Sequence, residues 1–266
     1  MLLAPSVAAA QADQVLVGAS GILGVQFDTW AVGEIEEIEE GQALRLSRLH
    51  FDPCTGVVLH NTGASTLIYA ESHGVQYAYQ GGESYPRDVL AQGEWITAAP
   101  LDYLTIINPM VDPAYSVDLL ILSVTEEDSF VEVPAIENFE FPGESGCDGI
   151  NEDGEVIPTI LAEGIAGEDA EELYLGSVVF NPGTTTEGWD ILDEGTTFNM
   201  LILAGAMGTA GPNSGRGAWI GAGGVISSYF NEGPIVTIPF VNDGETPVMG
   251  LVFGTLDGSA VWLPAG

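Results

Sequence analysis

The stretch "LRLSRLHFDPCTGVVLHNTGASTLIYAESHGVQYAY", residues 44–79, decides how this chain reads. Apolar and polar residues alternate at 43–51, and short runs rich in Val, Leu, Ile and Tyr follow at 56–59, 66–70 and 75–79. Between them stand "DPCTG", "NTGAS" and "SHG", made of the residues that turns favour. Period-two alternation bounded by turn residues predicts half-buried strands joined by tight connections.

The same grammar extends outward. It predicts strands at 15–17, 25–31, 94–97, 103–107 and 117–124, with "QGG" and "NPMVDP" as further turn signals. About nine short strands within about 110 residues predict an all-β jelly roll or β-sandwich over 1–125. From 126 to 172 the composition turns acidic and rich in Pro and Gly, which predicts a long connection with room for one strand, and "EGIAGEDAEELYLG" (163–176) holds a short helix candidate. Strand patterns return at 173–180, 197–204, 218–220, 225–230, 235–241, 248–253 and 260–263, so 173–266 is expected to be a second β-rich domain. "GVVLHNTGAST" (56–66) and "SVVFNPGTTTE" (177–187) echo one another, either as a trace of two related domains or as common strand–turn grammar.

Upstream, "QVLVGASGILGVQF" (14–27) spaces Gly18, Gly21 and Gly24 like a dinucleotide-binding loop. That loop works only where a helix begins at its last glycines and offers free N–H groups to a pyrophosphate. Here "VQFDTWAVGE" follows and alternates with period two, so the glycines punctuate strands. The Tyr-x-x-x-Lys pair of short-chain dehydrogenases is also excluded, because the chain has no lysine.

Four arginines (Arg45, Arg48, Arg87, Arg216) face 39 acidic residues, for a net charge of −35. Phosphate contacts need Lys and Arg to displace counterions, so direct nucleic-acid binding is excluded. Self-repulsion of this size calls for molar salt, where the screening length falls to about 3 Å. A hydrophobic fraction of 46% supplies a large core, yet no apolar run reaches the ~20 residues of a membrane-spanning helix. "MLLAPSVAAAQAD" (1–13) lacks the basic n-region of a signal peptide and reads as an apolar arm, packed on a neighbouring subunit or an internal membrane.

Residues that could carry chemistry are few. His50, His60 and His73 lie in one region, but no G-x-S-x-G elbow accompanies them. A cupin metal centre needs a His-x-His pair, and that pair is missing. Paired carboxylates carry no signal among so many acids. Cys54 and Cys147 are either free or bonded to each other. In "CDGINEDGE" (147–155), Asn151, Asp153 and Gly154 match the third, fifth and sixth positions of an EF-type loop, whereas Gly149 and Ile160 fall where carboxylates should stand. A Ca²⁺ or Mg²⁺ held by Asp148, Asn151, Asp153 and Glu155 stands beside the plainer reading of a solvated acidic loop. The five tryptophans are scattered as core or interface anchors. "GAMGTAGPNSGRGAWIGAGG" (205–224) is uncharged apart from Arg216, so it is expected to be a loop contacting another chain through Arg216 and Trp219.

The strand rhythm of 44–79, with "LDYLTIINP" (101–109) and "YSVDLLILSV" (115–124), resembles the upright single-barrel major capsid proteins of icosahedral haloarchaeal viruses with an internal membrane. The lysine-free acidic composition adds to that resemblance. It implies a structural virion protein, not an enzyme, that assembles with copies of itself and with other capsid proteins, 173–266 being a candidate tower. The rival reading is a secreted or cell-surface β-sandwich that binds a glycan or a protein.

Overall fold

The structure is a computed structural model of the chain. It describes residues 24–35, 38–39, 42–60, 65–79, 88–99, 103–126, 147, 154–185, 189–190, 196–210, 216–229, 240–256 and 263–264. The chain runs β1 (Val25–Glu34), β2 (Gln42–Phe51), β3 (Thr55–His60), β4 (Thr66–Ser72), β5 (Val75–Tyr79), β6 (Asp88–Leu90), β7 (Trp95–Ala98), β8 (Tyr103–Asn108) and β9 (Val117–Glu126). It continues through β10 (Val156–Ile165), β11 (Glu172–Phe180), β12 (Thr184–Thr185), β13 (Trp189–Asp190), β14 (Thr197–Ala204), β15 (Ala206–Ala210) and β16 (Arg216–Gly221). The last strands are β17 (Val225–Tyr229), β18 (Phe240–Asn242), β19 (Val248–Leu256) and β20 (Leu263–Pro264). The strands pair antiparallel, and the helical content of the described residues is a 3-10 turn at Pro113–Tyr115. The all-β expectation is met.

Four sheets stack as layers. The order β3-β8-β5-β6 faces β10-β2-β9-β4-β7, then comes β1-β11-β19-β14-β17, then β12-β18-β15-β16. Position for position, the two outer sheets match each other and so do the two inner ones. The chain is therefore a duplicated jelly roll. Phe51, Ile68, Leu104 and Leu119 fill the first sandwich, and Tyr174, Phe198, Phe240 and Val252 fill the second. A third cluster lies between the inner sheets, with Leu44, Leu46, Leu120 and Leu122 against Leu175, Leu201, Leu251 and Phe253. This explains why "LLILSV" and "GLVFGTL" read as continuous apolar runs. β9 and β19 are buried on both faces, so alternation disappears.

The two repeats exchange their leading strands. β1 pairs with β11 in the second jelly roll, and β10 pairs with β2 in the first. Both pairs carry a bulge at the equivalent place, between Thr29 and Ala31 and between Ile160 and Ala162. The strand pairing thus crosses the boundaries that composition set at 125 and 172. The one strand allowed for in the acidic connection is β10, a ten-residue edge strand; Pro158 is tolerated there because an edge leaves one hydrogen-bonding side open. Two further expectations are corrected. Residues 163–176 are the end of β10, a turn and the start of β11, not a helix; Ala162, Leu173 and Leu175 enter the shared core on a strand period. The stretch 205–224 is no simple loop but supplies β15 and β16, which pair as a hairpin. The predicted strand at 15–17 lies outside the described residues.

The true repeat register differs from the echo noted above. "FDPCT" (51–55) corresponds to "FNPGT" (180–184). The Asp52 N–H donates to the Glu155 carbonyl, and the Asn181 N–H to the Gly24 carbonyl. The next turn residue has positive φ in both, Cys54 at 56° and Gly183 at 79°; Cys54 donates its N–H to Met110 in the β8–β9 connection and Gly183 to Asn242 at the end of β18. Buried Asn108 donates through Nδ2 to the carbonyls of Phe51, Asp52 and Tyr115, while Asn242 does so to those of Phe180 and Thr246. An unpartnered amide at such sites would be costly, and each is satisfied by the same backbone corner.

Candidate functional site

The candidate surface lies at the turn end of each jelly roll, where the inner sheets extend past their shared core. In the first repeat this surface is ionic. Arg48 grips Glu71 with two bonds, Nε to Oε2 and Nη2 to Oε1, each 2.9 Å. His50 Nδ1 stands 2.8 Å from Asp118 Oδ1, and His50 Nε2 stands 3.7 Å from Asp52 Oδ1. Asp52 Oδ2 accepts from the Glu155 N–H at 3.0 Å, which locks the start of β10 onto the first repeat. The pairing places His50 opposite Asp118, with Glu71 in the bulge between Ala70 and Ser72.

In the second repeat the equivalent positions are apolar. Val179 stands opposite Met249, with Leu203 in the bulge between Ile202 and Ala204. Val178, Phe180, Ile202 and Val248 point into the second sandwich, so Val179, Leu203 and Met249 line the opposite face. Leu203 is 52% exposed and Met249 46%. The loops above the two surfaces are reversed in character. The first repeat carries "PMVDPAYS" (109–116), with Met110 42%, Val111 57% and Tyr115 44% exposed. The second carries "DGETP" (243–247), with exposed Asp243 and Glu245.

The 109–116 loop is stiffened on three sides. Asp112 caps its 3-10 turn by accepting from the Ala114 N–H at 2.9 Å. The Tyr115 ring stands edge-on to His73, 5.3 Å away, and His73 Nδ1 lies 3.1 Å from the Ser116 carbonyl oxygen. The Cys54–Cys147 disulfide resolves the alternatives left open by sequence, and its sulfurs lie against the carbonyls of Met110 and Pro109. Sequence reasoning singled out none of Met110, Val111, Leu203 or Met249. Each belongs to an ordinary strand or turn pattern, and only the register of one repeat on the other marks them.

The residues proposed for a cation are not brought together within the described part. Asp148, Asn151 and Asp153 lie outside it, and Glu155 is an exposed residue whose backbone is tied to Asp52. Among the described residues, no group of three or more His, Cys, Asp or Glu is arranged to hold a metal ion. Trp219 lies on β16, an edge strand, across from Gly208 and 45% exposed. Arg216 opens the same strand.

Acidic crowding is visible at Glu172. Burial first, then Glu34 opposite it and neighbouring Glu171, raise its carboxyl above the usual range. Its Oε2 is buried without a hydrogen-bond partner. Like charges directly opposite in a sheet are destabilising, and screening relieves them. The melting midpoint is therefore expected to rise by on the order of 10 °C between low and molar NaCl, where the screening length shrinks to about 3 Å. Calorimetry across a salt series checks this; a flat midpoint would remove the halophilic reading.

No protein-family model matches the chain, and no curated protein matches it in sequence. Solved structures do share its fold. An oxalate decarboxylase of Lactobacillus farciminis, solved as a formate complex, is 14% identical with a TM-score of 0.50, covering 93% of this chain and 87% of that one. A point mutant of Bacillus subtilis oxalate decarboxylase gives 13% and 0.49, covering 84% and 71%. Vicilin from Corylus avellana gives 11% and 0.49, covering 88% of each chain. At such identities the likeness is one of fold, and the fold is that of cupin-type jelly-roll proteins. It corrects one expectation. The chain was expected to be no enzyme because motifs were missing, but a decarboxylase is built on this fold, so a missing motif does not exclude catalysis.

Proposed function

We propose that the chain is a structural subunit of a virion shell of haloarchaeal type, which assembles by burying apolar β surface against other shell proteins. The observation that carries this reading is the placement of Met110, Val111, Leu203, Trp219 and Met249, each between 42% and 57% exposed, on a chain of net charge −35. Large apolar side chains left in water at three places on so acidic a chain, the 109–116 loop, the Leu203–Met249 ledge and the β16 edge, support contacts with other proteins there. The Cys54–Cys147 bond supports a location outside a reducing cytosol, as in a particle or at a cell surface.

Light scattering at about 2–3 M NaCl, where charge screening is nearly complete, tests the reading. The purified chain should self-associate with rising concentration, or do so when mixed with the other proteins of the particle. Trp219→Ala should weaken assembly, because truncating an aromatic anchor at an interface costs about 2 kcal/mol or more. The melting of the isolated subunit should stay nearly unchanged, since Trp219 is 45% exposed. A chain that remains a monomer under all these conditions and binds a glycan instead would overturn the capsid reading in favour of a binding module.

A further inference from the structure

We propose that the Cys54–Cys147 bond is a redox latch on the 109–116 loop. Closed, it holds the turn at Cys54 in a left-handed conformation and fixes Met110 and Val111 in place. Opened by a dithiol, it lets the turn relax and frees the tip of the loop. The inference goes beyond the assembly reading above, because it concerns the order of the loop within a single chain.

Its ground is where the backbone is strained. Among the described residues, three that are not glycine have positive φ: Cys54 at 56°, His73 at 50° and Asp169 at 62°. Two of the three hold the 109–116 loop. The Cys54 N–H donates to the Met110 carbonyl at 2.9 Å, and its Sγ lies 3.4 Å from the same oxygen. His73 stands against the other end of the loop, at Tyr115 and Ser116. In the second repeat both positions are glycine. Gly183 takes the place of Cys54, and Gly205 takes that of His73, since Ser72 pairs past its bulge with Asp118 as Ala204 does with Met249. A Cβ on Gly183 would meet nothing within 4 Å, so glycine stands there for its φ alone. The first repeat thus gives up glycine at the two places where a side chain can grip the loop. Strain of this kind persists only where the surroundings enforce it, and it collects at switching elements.

The two grips differ in kind. His73 acts through a hydrogen bond and a ring contact, whereas Cys54 acts through a covalent bond. Cys147 Sγ lies 3.6 Å from the Pro109 carbonyl oxygen, so the two sulfurs clasp the loop at Pro109 and Met110. To open the latch, a thiolate of the dithiol attacks one sulfur and the S–S bond breaks. A second exchange then leaves two cysteine thiols and the reductant as a cyclic disulfide, so two electrons and two protons pass to the protein. No covalent tie then opposes relaxation of Cys54 to negative φ, and that relaxation turns its N–H away from Met110. Asn108 still ties the turn to the base of the loop through the carbonyls of Phe51, Asp52 and Tyr115. The release is therefore confined to the tip, and the fold survives it.

Amide hydrogen exchange on the dispersed chain in about 2–3 M NaCl tests the latch. After reduction with dithiothreitol, confirmed by thiol counting, the amides of Cys54, Met110 and Val111 should exchange at least about tenfold faster. Those of Gly183 and Gly244, bonded to Asn242 at the matching corner of the second repeat, should keep their rates. Cys54→Ser combined with Cys147→Ser should reproduce the reduced pattern. Cys54→Gly combined with Cys147→Ser lacks the bond but accepts the left-handed turn, so it should restore most of the protection. Unchanged exchange at Met110 and Val111 on reduction would overturn the latch. So would equal acceleration at both corners, which marks a general loosening. A glycine variant as unprotected as the serine one would also overturn it, by taking the strained turn out of the mechanism.

Discussion

Replacing Cys54 and Cys147 together by serine is expected to lower stability by about 4 kcal/mol, close to the entropic value for a loop of this length. The bond joins residues 93 apart, so its loss frees a long stretch of unfolded chain. With ~2–4 °C lost per kcal/mol in a chain of this size, the midpoint should fall by roughly 10 °C. Reduction of the wild type should reproduce that fall in molar salt. The repeat supplies a second arm. Cys54 has φ 56°, in the left-handed region, and its counterpart Gly183 has φ 79°. A residue with a Cβ loses about 1 kcal/mol or more there. In a Cys147→Ser background, Cys54→Gly should therefore be more stable than Cys54→Ser by about 1 kcal/mol. The first repeat carries that strain in exchange for a covalent tie, which the second repeat lacks. Equal stability of oxidised and reduced protein would show that the tie contributes nothing to the fold.

The parts legible in sequence were those where one face of a strand meets water. The strand expected at 75–79 falls on β5, whose burial alternates with period two. β2, expected at 43–51, is the exception, legible from the polar residues Arg45, Ser47, Arg48 and His50 although it turns Leu44 and Leu46 to the shared core and Leu49 and Phe51 to the first sandwich. β10 was legible only as an unplaced strand in the acidic connection, for a physical reason. As an exchanged edge strand, it leaves Ile157, Pro158, Thr159 and Ile160 exposed in a row, so neither alternation nor a continuous apolar run marks it. The hairpin of β15 and β16 was hidden by glycine, which lowers strand propensity even where the ladder forms, as at Gly208 opposite Trp219. The duplication was half legible. "VVLHNTG" and "VVFNPG" align by eye, but that alignment sets β3 on β11. The correct register rests on the turns "DPC" and "NPG", where a positive φ is required, and on Asn108 and Asn242, which serve both corners. The candidate surface was illegible for the same reason. Leu203 and Met249 are unremarkable until they are set beside Glu71 and Asp118. Trp219 was legible because an aromatic in an uncharged stretch stands out from composition alone, and it is exposed in the fold.

Phe253→Ala is expected to cost about 3–5 kcal/mol, the range for removing a large side chain from a packed core. Phe253 has no exposed surface and sits in the cluster between the inner sheets, beside residues of both repeats. Its loss opens a cavity that Leu44, Leu46 and Leu122 cannot fill, because they are held on a sheet of their own. The location of the damage makes the experiment informative. If the repeats were independent units joined by a connection, the substitution would lower only the second, and two melting steps would separate. The exchanged strands argue otherwise. β1 cannot leave β11, nor β10 leave β2, without breaking a nine-residue register in the other repeat's sheet. Both jelly rolls are therefore expected to unfold in one cooperative step, and Phe253→Ala should move that step as a whole by roughly 10 °C. Calorimetry in molar NaCl reads this directly. A second, unmoved transition in the variant would mean that the shared core and the exchanged strands do not couple the two halves.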